Sequence, residues 1–133
     1  MCNLFTKIKS SLHAIEQEKG GFEIKCLVAK DPSNLQWDLI LTADWFDKEP
    51  YNDIIKRLDY LSEKILQDLD IDCMIQFSGI ITYSVNTSSA LLDMLRIIQE
   101  NHRLGKYKVE PTQGYLQLTF QQSLIIPLND PEV

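Results

Sequence analysis

The stretch Trp37-Asp38-Leu39-Ile40-Leu41-Thr42-Ala43-Asp44-Trp45-Phe46-Asp47 decides how this chain is read. Its odd positions from Trp37 to Trp45 are apolar, and its even positions carry Asp38, Ile40, Thr42 and Asp44. Successive side chains of a strand point to opposite faces, so the pattern predicts a strand buried on one face. It runs into two acids and two aromatics ahead of a long helical pattern. Junctions of that kind often carry binding sites.

Upstream, Leu4, Phe5, Ile8, Leu12 and Ile15 recur at helical spacing and predict a helix over 3–19, ended by Gly20-Gly21. A strand follows over 22–30, with Phe22, Ile24, Cys26 and Val28 on its apolar side. The turn formers Asp31-Pro32-Ser33-Asn34 join it to the Trp37 strand as a hairpin. If the apolar sides of both strands share a face, even positions of the first must oppose odd positions of the second. That rule allows Lys25 opposite Asp44, an attractive pair and the favoured register. The next register would set Glu23 against Asp44, two like charges that resist ionising together without a cation between them.

Downstream, Ile54, Leu58, Leu61, Ile65 and Leu69 predict a helix over 48–69, capped by Asp47, with Pro50 in its first turn and an Asp53–Arg57 charge pair outside. Alternation over 73–85 predicts a long strand that continues through Gly79. Thr87 is the expected cap of a third helix ending near Gly105, and 115–126 reads as the last strand. The expected fold is α+β in a single domain spanning 1–133. It has the order α-β-β-α-β-α-β, with three helices on one face of a mixed four-stranded sheet. The opposite face would then be open, because a sheet covered on both sides reads as near-continuous Val, Ile and Leu.

Composition bounds the function. With 133 residues, 13 basic and 19 acidic side chains, the formal charge is -6. Such a balance repels phosphate backbones and disfavours general nucleic-acid binding. The one basic concentration, Arg96, His102, Arg103, Lys106 and Lys108, is flanked by Glu100 and Glu110 and suits a helix C-terminus. Cys2, Cys26 and Cys73 form neither a disulfide framework nor a zinc motif, and Cys26 and Cys73 read as buried thiols. No signal peptide or membrane-spanning run is evident, which makes the cytoplasm the expected compartment.

Catalytic signals are sparse. His13 and His102 have no placed partner, and no serine sits in a nucleophile elbow. The acids of the hairpin are the exception. Glu23, Asp38 and Asp44 with Lys25 are the ingredients of a metal-dependent hydrolase or nuclease, in which carboxylates hold a cation and a lysine assists a water. The acid-x-Lys triplet precedes Asp38, the reverse of the order in restriction endonucleases, and solvated strand charges are the simpler reading. The expectation is therefore a non-catalytic protein-interaction module without cofactor or metal. It would bind a protein partner or a second copy of itself, as a homodimer, through the open face or a strand edge. Its binding residues would be Met74, Gln76, Ile80, Thr82, Tyr115 and Gln117 on that face, with Phe46 exposed at the bend as an anchor.

Overall fold

The computed structural model describes every residue except Met1, Glu110 and Val133. Helix α1 (Leu4–Lys19) begins where Asn3 accepts a hydrogen bond from the Thr6 amide, and it buries Leu4, Ile8, Leu12 and Ile15. Strands β1 (Ile24–Ala29) and β2 (Trp37–Thr42) form the predicted hairpin, and a 3-10 turn, Asp44–Asp47, follows. Helix α2 (Ile54–Leu66) is capped by Asp53, which accepts from the Ile55 and Lys56 amides. Asp53 is thus committed to the helix start and not to Arg57, and Ile54 stays exposed.

Three further elements follow: helix α3 (Ile71–Gln76), strand β3 (Phe77–Tyr83) and helix α4 (Ala90–Arg103, capped by Ser89). A closing hairpin comprises β4 (Leu118–Phe120) and β5 (Ser123–Pro127). The sheet order is β3-β2-β1-β5-β4. Strand β3 is parallel to β2 and all other pairs are antiparallel, so the sheet is mixed. The α+β class stands, with four α-helices and five strands among the described residues in place of three and four.

The expectation of one covered face is corrected by the two cores. Leu27, Ala29, Leu39 and Leu41 pack with α1 and α2, together with Trp45, Phe46, Leu61 and Ile65. Ile24, Cys26, Val28 and Ile40 pack instead with Leu92, Leu95 and Ile98 of α4. Neighbouring strand residues point to opposite faces, so α4 covers the face away from α1 and α2. The hairpin register follows from this. Leu27 opposes Leu39 and Cys26 opposes Ile40, so odd pairs with odd, and Lys25 opposes Leu41, not Asp44. Both sides of β1 are apolar because both sides are covered.

Candidate interaction site

The hairpin acids do not converge. Glu23 binds Arg96 of α4 at 2.9 Å and accepts from the Thr42 hydroxyl at 2.8 Å. Lys25 turns to the other face, to Glu16 of α1 at 2.8 Å. Asp38 stands opposite Val28 in the sheet, and Asp44 is exposed in the 3-10 turn. Among the described residues, the one gathering of potential metal ligands is Cys2, Asp70 and Cys73.

The basic stretch is largely internal. Arg96 also pairs with Asp93, and Arg103 pairs with Glu100 and Glu132. These carboxylates hold the Arg96 and Arg103 guanidinium groups firmly protonated, the Glu23 bond leading for Arg96 and the Glu100 bond for Arg103. His102 is buried beside Asn129, while Lys106 and Lys108 remain exposed. Gln99 of the same helix bonds the β1 backbone directly, accepting from the Lys25 amide at 2.7 Å and donating to the Glu23 carbonyl at 2.8 Å. That contact takes over where the β5 ladder stops, so this part of α4 is a structural seam.

Phe46 is not an exposed anchor. It is 0% accessible, enclosed by Phe22 and Trp45, with the Arg57 guanidinium 5.0 Å above its ring. Arg57 also donates to the Phe46 and Tyr51 carbonyls and to Thr82 Oγ1, at 3.0 Å for the last. Thr82 is therefore tied to α2. Ile80 packs half-buried on the α1–α2 core. Burial, with Glu18 nearby, pushes the Tyr60 hydroxyl up to about 12 at the margin of this aromatic group.

Tyr115 stacks on Phe5 with ring centroids 4.8 Å apart. With Gln76, Trp37 and Leu27 it lines a cleft of about 310 Å³ with no charged side chain among the described residues of its walls. Gln117 is exposed beyond it. Thus Gln76 and Tyr115 come together, and Gln117, Ile80 and Thr82 do not join them.

Met74 belongs to a different surface. It lies on α3 with Ile71 and Ile75, and these three are 48%, 78% and 66% exposed. Helix α3 leads directly into β3, the edge strand whose other side pairs with β2. From Phe77 to Tyr83 that strand carries no charge and no proline. A Cβ added at Gly79 would meet nothing within 4 Å, so no packing inside the chain demands that glycine. Beside it, Ser62 and Leu66 of α2 with Met74, Phe77 and Ile80 line a groove of about 190 Å³. Unpaired strand N–H and C=O groups next to exposed aliphatic side chains form a surface suited to another chain.

Ile75 was missed because residues 73–85 read as one alternating strand, which places it inward, and Ile71 fell between that strand and the helix expected over 48–69. Asp70 carried the available signal. An Asp ahead of an apolar residue is a helix-cap pattern, and Asp70 does accept from the Cys73 amide at 3.0 Å. The expectation that Cys2, Cys26 and Cys73 form no disulfide, with Cys73 a free buried thiol, is corrected, because the fold brings the start of α1 against α3. Cys2 is joined to Cys73 in a disulfide with Cα atoms 5.2 Å apart, leaving Cys26 the one free thiol among the described residues.

Comparison of the chain with family models, with curated proteins and with solved structures returned no match. Among the described residues, no helix is long and apolar enough to cross a membrane.

Proposed function

We propose that the chain is a non-catalytic interaction module whose working surface is the β3 edge with the exposed side of α3, and that it pairs there with a second copy of itself. The observation that carries this reading is the charge-free, proline-free edge of seven residues flanked by Ile71, Met74 and Ile75. Edge strands left in solution are usually blunted by charge, proline or brevity, and β3 has none of these.

Electrostatics supports self-pairing at this place. Two copies each carrying a formal charge of -6 repel over most of their surfaces. Screening confines that repulsion to about 8 Å at physiological ionic strength, so a contact forms with least penalty where charge is locally absent. An antiparallel β3–β3 pair about a twofold axis is self-complementary, and it would satisfy the outer backbone groups of both strands. Docking of Met74 and Ile75 against the partner copy would add buried apolar area.

Sedimentation equilibrium over a wide concentration range tests the reading. The expected result is a dimer that dissociates at least about tenfold more readily in Ile75→Glu and in Ser78→Lys, corresponding to about 1.4 kcal/mol or more. A protein that stays monomeric up to its solubility limit overturns it. So does a dimer indifferent to both substitutions.

A further inference from the structure

We infer that the Cys2–Cys73 bond is a redox-sensitive clamp on α3, closed when oxidised and released when reduced. For its consequence, though not for the clamp itself, this rests on the reading of α3 and β3 as the docking surface.

The argument starts from how little else holds α3. It has six residues and buries one side chain, that of Cys73. A helix of that length does not persist on its own, because nucleation costs more than one or two turns of hydrogen bonds return. Among the described residues, its side-chain polar ties are the Asp70 cap and the salt bridge from Lys7 to Asp70 at 3.3 Å, both at an exposed carboxylate. Cys2 lies just ahead of α1, which buries Leu4, Ile8, Leu12 and Ile15. The disulfide therefore fastens the least anchored helix to one of the best anchored.

The two sulfurs differ in access. Cys73 is fully buried and Cys2 is partly exposed, so Cys2 Sγ is the atom an incoming thiolate reaches. With a dithiol reductant, its first thiolate bonds to Cys2 Sγ, the S–S bond breaks, and Cys73 leaves as a thiolate that takes a proton. The second thiol of the reductant then displaces Cys2. Two electrons and two protons pass to the protein, and the reductant ends as its own disulfide. Cys26 takes no part. It lies in the α4 core, donates to Gln99, and burial pushes its thiol far up.

Amide hydrogen exchange on the full chain tests the clamp, comparing the oxidised protein, the same protein with dithiothreitol, and Cys2→Ser. The expected result is that residues 71–76 lose protection first and most in the last two, exchanging at least about tenfold faster relative to α1, β1, β2 and α4, whose amides accelerate only by the shared loss of global stability. Reoxidation restores protection in the native chain and not in Cys2→Ser. Unchanged exchange at 71–76 overturns the clamp. So does uniform acceleration along the chain, which would make the bond a staple of the whole fold.

Sedimentation under the same conditions separates the two readings. A dimer weakened about tenfold or more by reduction supports regulation of the docking surface. A dimer of equal strength in both states, despite faster exchange, overturns that regulation. A monomer in both states overturns the docking reading, and the exchange data then judge the clamp alone.

Discussion

The two edges of the sheet are built differently. Strand β4 has three residues and ends in a turn, Gln121-Gln122, with both residues at positive φ, 48° and 70°. Strand β3 has seven residues, no charge and no proline, and exposed aliphatic side chains lead into it. The first edge is closed by brevity. The second carries none of the devices that keep an edge solitary. In an acidic chain this asymmetry is what supports the proposed contact at β3.

The largest expected effect comes from removing the covalent tie behind the β3 edge. Cys2 and Cys73 are 71 positions apart, and a loop of that size contributes about 4 kcal/mol in the chain-entropy account. Urea unfolding with and without dithiothreitol reads this. A loss below about 1 kcal/mol would mean that the reduced chain keeps the same restriction by other means.

Next in size is the strand that holds β3 in place. Leu39 is fully buried on β2, opposite Ile80. Leu39→Ala is expected to cost about 3 kcal/mol through lost burial and a cavity, measured by the shift of the urea midpoint. Hydrogen exchange of β3 should rise along with that of β2, since β2 is its single ladder partner.

The β4 edge offers the opposite sign. Two-residue hairpins favour Asn-Gly because both positions need positive φ, where a glutamine is strained. Gln121→Asn combined with Gln122→Gly should raise stability by about 1 kcal/mol without altering self-association. If the same pair weakened the dimer, the assignment of contact to β3 would fail.

Acid should loosen the Asp70 cap of α3. The Cys73 amide and then the Lys7 ammonium hold the Asp70 carboxyl below its usual range. A group depressed in the folded state contributes stability that is present above its unfolded value, near pH 4, and is lost as pH falls through the folded value. Stability should therefore drop as pH falls below about 4, and by less in Asp70→Asn. An equal drop in both proteins removes Asp70 from the account. The smallest expected effect is that of Ile75→Glu on monomer stability, within about 0.5 kcal/mol because the site is 66% exposed. A larger loss would show that Ile75 packs within its own chain.

Much of the fold was legible. The α1 stripe, the positions of the two hairpin strands and the burial of Trp37 and Trp45 follow from local spacing and turn formers, which depend on neighbours in the chain. The failures are instructive. Residues 73–77 alternate like a strand, yet Asp70 caps a helical turn there, and local hydrogen bonding outweighs pattern in so short a piece. The 115–126 segment breaks into a hairpin at two glutamines, which announce no turn. The inferred open face arose from reading edge and central strands alike. Strands β3 and β4 carry polar positions because they lie at the margins. Cys26 to Ala29 and Leu39 to Leu41 are continuous apolar runs, the mark of burial on both sides.

The amino-acid sequence by itself determined the helix stripes, the central strands, the acidic surface and the charge-free run from Phe77 to Tyr83, because these depend on neighbours a few positions apart. Tertiary structure alone decided that α4 crosses to the other face, that β3 takes an edge, that Phe46 is enclosed and that Cys2 meets Cys73. Each of those outcomes depends on which distant surfaces exclude water together, and no local spacing records that choice.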